Sequence, residues 1–178
     1  MILLFLCTED KAKLFQSVRL NLYSVFTLAF KEQRFTFLPE KNDTMCEDTV
    51  AAYLELIKKL LARSSHGFST AASINVPKKP GVYVIYDRKT DALIYVGRTG
   101  DLRRRLLGDH KPGNIEGSQF RKALMQHFSL RSESEVSKYI LANCSFQFIP
   151  IEDFEKTVRL EHFTTAIIGP ILNTKLKQ

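Results

Sequence analysis

The sequence predicts an α/β fold of the α+β type, a small antiparallel sheet of three strands flanked by helices. Three observations carry that expectation. The runs "GVYVIY" (81–86) and "LIYVG" (93–97) are rich in Val, Ile and Tyr and flank the polar turn "DRKTDA", which reads as an antiparallel hairpin. Farther on, "NCSFQFIP" alternates Cys144, Phe146 and Phe148 on one face, as a third strand would. Helix signals lie between and after the strands, so the expected order is β-β-α-α-β-α.

Residues 1–44 contain six of the chain's 13 Phe, with no clean period and no clear caps. Two readings stand beside each other: an over-extended reading frame with Met45 as the natural start, or a loosely packed N-terminal arm. After Met45, "CEDTVAAYLELIKKLLARS" repeats Val50, Tyr53, Leu54, Ile57 and Leu61 at helical spacing behind an acidic start. "SSHGFSTAASINVPKKPG" (64–81) is rich in Ser, Gly and Pro and reads as a linker. Three segments follow from this: an extension over 1–44, a helix and linker over 45–75, and a compact domain over 76–178.

Within that domain, Asp101 opens a helix that runs to Gly108 or His110, and a second helix covers about Ser118 to Phe128. "SEVSKYILA" is compatible with a short helix. The last helix opens at Glu152 and Asp153, acids suited to a helix N-terminus, and stops before Pro170.

The chain has 178 residues, 44% apolar and 25% charged, the profile of a folded protein rather than a disordered one. Its 26 Lys and Arg against 19 Asp and Glu give a net charge of +7, which favours a polyanionic partner. The charge is clustered: Arg98 to Lys122 holds seven basic residues against three acids, more than half of the net excess. Three cysteines, Cys7, Cys46 and Cys144, form no C-x-x-C pair, which argues against a disulfide framework or a zinc knuckle and for a reducing cytoplasm. "MILLFLC" is too short to span a membrane and lacks the basic flank of a signal peptide, so no membrane partner is expected. His66, His127 and His162 have no metal-ligand spacing with any Cys.

"GVY" at 81–83, "YVG" at 95–97, Arg105 ten residues beyond Tyr95, and "LEHFTTAIIGPILN" at 160–173 follow one another in an order that resembles the GIY-YIG nuclease family. The resemblance covers about Val76 to Lys175. It implies a three-stranded sheet with a phosphodiester-cleaving site on one face. It also implies roles for particular residues: Tyr83 and Tyr95 as the two family tyrosines, Arg105 as the family arginine, Glu161 as the metal-binding glutamate and Asn173 as the closing asparagine. Gly81 and Gly97 match the motif glycines, and Arg98 falls where relatives often carry Lys. Relatives often place a histidine four residues after the motif arginine. Here that position is Asp109 and the histidine, His110, comes one later; in an α-helix that is a rotation of about 100°, whereas a helix that has ended near Gly108 lets His110 reach the phosphate as a further catalytic candidate.

From spacing alone, Tyr83 and Tyr95 are two strand residues that a hairpin brings to neighbouring positions of one sheet, and half-buried tyrosines without chemistry explain them as well. Leu102 and Leu106 define the inward face of their helix, Arg104 points away, and Arg103 and Arg105 flank that face, so helix geometry does not choose between these two; the family spacing selects Arg105. At helical pitch Glu161 projects within about 60° of Phe154, Val158 and Ile168, hence inward. An unpaired buried carboxylate is costly, so Glu161 is either paired with an arginine or ligates a metal, and the resemblance favours the metal.

The activity implied is a metal-dependent endonuclease acting on DNA in repair or recombination, with one Mg²⁺ or Mn²⁺ on Glu161. Mg²⁺ takes one or two carboxylates and completes its shell with waters and phosphate oxygens. As in the family, Tyr83 is the general base, with Tyr95 assisting. A phenol of pKa ~10 ionises at neutral pH at a cost of about 4 kcal/mol unless neighbours lower it. Asn173 fixes local geometry or binds a phosphate. Arg98, Arg103, Arg104, Lys111, Arg121 and Lys122 form the DNA-docking set, or else a solvated charged face. The alternative is a module of the same fold that binds nucleic acid without cleaving. Sequence-specific recognition would require a homodimer or a partner protein.

Overall fold

The computed structural model describes residues 43–72 and 75–173. Apart from residues 43 and 44, the readings of residues 1–44 lie outside the described residues. All but the first four described residues belong to the unit Glu47–Gln178.

Helix α1 (Asp43–Leu61) is followed by the two-residue strand β1 (His66–Gly67) and by the hairpin β2 (Gly81–Asp87) and β3 (Ala92–Thr99). A helix then opens at Leu102 and has π geometry over Arg104–His110. Helices α2 (Gln119–His127) and α3 (Glu133–Asn143), strand β4 (Cys144–Pro150) and helix α4 (Phe154–Ile168) complete the fold. The helix starts have physical causes. Ser118, Ser132 and Asp153 cap α2, α3 and α4 by accepting from the backbone N–H three residues on.

The sheet is antiparallel throughout, in the order β1-β4-β2-β3. It has four strands rather than three, because His66 and Gly67 pair with Phe146 and Ser145. A two-residue strand in a Ser- and Gly-rich stretch has no alternation to announce it. The same stretch, expected as a linker, also supplies Phe68, fully buried against Phe146 with ring centroids 4.8 Å apart.

Strand alternation sends the side chains to two cores. Tyr83, Ile85, Phe146 and Phe148 face the π-helix, α2 and α3, where Leu102, Leu106, Phe120, Leu124, Val136 and Ile140 are buried. On the opposite face, Val82, Val84, Val96 and Ile149 pack against Ile57 and Leu60 of α1 and Leu160 of α4. Among the described residues, no helix is long and apolar enough to cross a membrane.

Helix α4 lies differently from the expectation. Its buried residues are Thr157, Leu160, Thr164 and Thr165, while Phe154 is 49% exposed. Sequence hydrophobicity overstated Phe154, and three threonines carry the inner face instead. One of them, Thr157, turns its hydroxyl back to the Asp153 carbonyl at 2.9 Å. Glu161 still has a largely covered side chain, 12% exposed.

Candidate active site

The site is built on the hairpin register. Tyr83 stands opposite Gly97, and Tyr95 opposite Ile85, so the two tyrosines occupy one face as diagonal neighbours with ring centroids 6.3 Å apart. Beyond Ile85 the register slips by one residue, which leaves Ile94 bulged beside Tyr95. Gly97 makes room for both rings: a Cβ there would lie 2.5 Å from Cζ and the hydroxyl of Tyr83 and 2.9 Å from Cε1 of Tyr95. At Gly81 a Cβ would land on the Ile149 carbonyl oxygen, so this glycine lets β2 and β4 close up behind the site.

His110 joins the tyrosines, against what its position in an α-helix implies. An i→i+5 ladder closes each turn one residue later than an α-helix, so the π-helix carries residue 110 back toward the face of Arg105. The imidazole is buried, with Nε2 at 2.7 Å from the Tyr83 hydroxyl and Nδ1 at 2.8 Å from Ser118 Oγ. Phe120 closes over it at a centroid distance of 5.1 Å.

Burial governs the electrostatics of this trio. The Tyr83 phenol is pushed well above its usual range, chiefly by desolvation and also by Tyr95, with Glu161 and Asp109 adding to the rise and Arg105 opposing it. Tyr95 is raised by desolvation and Glu161, against Arg105, Arg98 and hydrogen bonding with Tyr83. Desolvation, Arg105 and Arg121 hold His110 well below its usual range, so its ring is neutral at pH 7.

Around the trio, Arg98 Nη1 lies 3.3 Å from Glu161 Oε2, and Arg105 Nη1 donates to the Gly117 carbonyl at 3.1 Å while pairing with Asp109 at 3.2 Å. Asn173 is anchored at both ends of its amide. Its Oδ1 accepts from the Val96 N–H at 2.9 Å and its Nδ2 donates to the Val96 carbonyl at 2.8 Å, which stitches the segment after α4 to the edge strand β3 between Tyr95 and Gly97. The Leu172 N–H adds a bond to the Ile94 carbonyl at 3.0 Å. Both ends of the Asn173 amide thus rest on the Val96 main chain, and the residue also lines the cleft beside Glu161.

Tyr83, Tyr95, Arg98, Arg105 and His110 surround a hollow of about 160 Å³. Beside it, sharing Tyr95, Arg98 and Gln119, a cleft of about 900 Å³ adds Glu161, Lys122 and Asn173. Glu161 thus presents one largely covered carboxylate to the cleft next to the tyrosines. Among the described residues, no group of three or more His, Cys, Asp and Glu converges to form a metal cage. A single carboxylate beside an open cleft suits a hard cation that keeps several waters.

The basic residues sort by their partners. Arg104 is exposed, and Lys122 is exposed on the cleft. Arg103 turns its Nε to the Val76 carbonyl at 2.7 Å, so of Arg103 and Arg105 it is Arg105 that lines the hollow, together with Arg98. Lys111 Nζ reaches the Ala71 carbonyl at 3.4 Å. Arg121, expected on the DNA-docking face, is instead fully buried. It donates to the His110 carbonyl, to Glu133 Oε2 and to Ser137 Oγ, each at 2.9 Å, so it ties the end of the π-helix to α3. A buried guanidinium with those partners is not available to a phosphate. Sequence reasoning missed Ser118 and Gln119; the one available signal was that Ser118 stands at a predicted helix start.

Residues 79–159 match the family described as the GIY-YIG catalytic domain. The chain is similar to UvrABC system protein C of Finegoldia magna, 38% identical over 77 residues that form 43% of this chain and 11% of that protein. It is also similar to UvrABC system protein C of Actinobacillus succinogenes, 53% identical over 38 residues, 21% of this chain and 6% of that protein. The chain therefore spans only a small fraction of these relatives. Among solved structures, the GIY-YIG N-terminal endonuclease domain of UvrC from Thermotoga maritima, bound to magnesium, aligns with 57% of this chain and 91% of its own, at 18% identity and a TM-score of 0.37.

Proposed function

We propose, from the match of residues 79–159 to the GIY-YIG catalytic domain, that the protein is a metal-dependent endonuclease that hydrolyses DNA phosphodiester bonds in repair or recombination. The observation that carries the reading is the buried Tyr83–His110 contact at 2.7 Å, opening on a hollow that Arg105 lines beside the Glu161 carboxylate. Phosphodiester hydrolysis needs a base for water and positive charge on the phosphoryl oxygens. These groups supply both.

Glu161 would hold one Mg²⁺ or Mn²⁺, which when bound supplies charge neutralisation at the phosphoryl group. Arg105 keeps donors free besides the Nη1 that meets Gly117 and Asp109, and with them binds a non-bridging phosphate oxygen. The ionised Tyr83 oxygen takes a proton from the attacking water as the water oxygen bonds to phosphorus. The bond from phosphorus to the leaving ester oxygen breaks, and that oxygen takes a proton from solvent. Tyr95 orients the water, and Asn173 holds Tyr95 through Val96. Arg98, Arg104 and Lys122 contact flanking phosphates.

The test is incubation of the purified chain with plasmid, single-stranded and branched DNA, with and without Mg²⁺ or Mn²⁺, alongside Glu161→Ala. Cleavage that needs the cation and is lost in Glu161→Ala is expected. Absence of cleavage on every substrate overturns the nuclease reading, and salt-sensitive binding without cleavage would leave a non-cleaving DNA-binding module of the same fold. Cleavage by Glu161→Ala at the wild-type rate overturns the metal assignment.

A further inference from the structure

We propose that Ser118 sets the direction of the Tyr83–His110 hydrogen bond: its hydroxyl donates to Nδ1 of His110, so the imidazole carries its proton on Nε2 and donates it to the Tyr83 oxygen. A serine hydroxyl has one hydrogen to give and two lone pairs to receive. Ser118 is fully buried, and as the cap of α2 its Oγ accepts from the Arg121 N–H at 3.2 Å. Its own hydrogen still needs an acceptor, since a buried donor without one is costly. Among the described residues, the acceptor in contact with Ser118 Oγ is His110 Nδ1, at 2.8 Å.

A neutral ring that receives a proton at Nδ1 must carry its single N–H on Nε2, and Nε2 faces the Tyr83 hydroxyl at 2.7 Å. The surroundings keep the ring neutral. Tyr83 and Tyr95 face it from the strands, Arg105 from its own helix with Asp109 paired to that arginine, and Arg121 from α2. The two guanidiniums and burial all oppose a second proton. Arg121 contributes again through its main chain and guanidinium, which hold Ser118 Oγ and the His110 carbonyl.

The direction of this bond matters for the phenol. A donor on the Tyr83 oxygen favours its ionised form and opposes the effect of burial, whereas Tyr83 donating to Nε2 would favour the neutral phenol. Ser118 is then a positioning residue that acts on Tyr83 through His110. This consequence rests on the nuclease reading; the direction of the bond does not.

The test is ¹⁵N NMR of the imidazole nitrogens in the full chain without metal at pH 7, with the His110 signals assigned by their loss in His110→Gln. A protonated Nε2 and a bare Nδ1 are expected in the wild type, in Ser118→Thr, and in Tyr83→Phe, where the phenolic partner is gone but Ser118 remains. In Ser118→Ala the nitrogens should move toward averaged values as the other tautomer becomes populated. A protonated Nδ1 in the wild type or in Tyr83→Phe, or an unchanged pattern in Ser118→Ala, would overturn the proposal. If the chain cleaves DNA, Ser118→Ala should lower kcat at neutral pH by roughly tenfold, the equivalent of one pKa unit, with KM unchanged and the rate restored in Ser118→Thr. These NMR outcomes stand or fall whether or not cleavage is found.

Discussion

Gly97 lies directly across the β2–β3 ladder from Tyr83, and the Tyr83 ring fills the space that any side chain at 97 would need. The glycine and the tyrosine are therefore one unit. Gly97→Ala places a methyl 2.5 Å from the Tyr83 ring and hydroxyl, so the substitution should destabilise the fold by about 1–3 kcal/mol, the range of overpacked cores. Denaturant unfolding measures this, and cleavage should fall further than the stability loss explains, because Tyr83 has to leave His110.

Arg121 and Lys122 are adjacent in sequence and should behave oppositely. Arg121→Ala strips donors from the His110 carbonyl, Glu133 and Ser137 and leaves a hole in a closed site, at a cost of about 2–5 kcal/mol. Lys122→Ala should leave the melting temperature unchanged and reduce the slope of log affinity for DNA against log salt by about 0.9, the share of one phosphate contact. An unchanged slope would remove Lys122 from the DNA-binding face.

Stability should decline in mild acid. His110 is neutral and buried in the folded chain, its pKa held well below the ordinary value, whereas the unfolded chain titrates near 6.5. Below about pH 6.5 the unfolded state binds the extra proton, so stability present at higher pH is lost as pH falls toward the folded pKa. His110→Gln should flatten the fall in melting temperature between pH 7 and 5.

Cleavage should show the opposite kind of limb at alkaline pH. Burial raises the Tyr83 phenol, so only a small fraction is ionised at neutrality and the rate should climb with pH through the range 7 to 9, about tenfold per unit where ionisation limits. Tyr83→Phe should abolish the climb. A wild-type profile that is flat across this range would argue against Tyr83 as the base.

Asn173→Ala removes two hydrogen bonds to Val96, at 2.8 and 2.9 Å, and should cost about 1–3 kcal/mol. Because the loss frees the β3 edge next to Tyr95, kcat should fall while DNA affinity in EDTA stays near wild type. An affinity loss as large as the loss in kcat would assign Asn173 a direct phosphate contact.

The hairpin, the third long strand, helix α2 and the last helix were legible in the sequence, because alternation and capping residues are local signals. So were the tyrosines, their glycines, Arg105, Glu161 and Asn173, as an ordered motif. Three things were not legible. The strand at His66 and Gly67 is too short for a period; the inner face of α4 is built from threonines that read as polar; and Arg121 reads as surface charge until its acceptors are in place around it. What the sequence by itself determined is which side chains a hairpin of period two would bring to one face. Only the tertiary structure decided that His110 belongs with them. The shift of one residue after Arg105 is absorbed by a π turn, and such a turn is held by side chains of the next helix: the buried Arg121 on the His110 carbonyl and its cap Ser118 on the His110 ring.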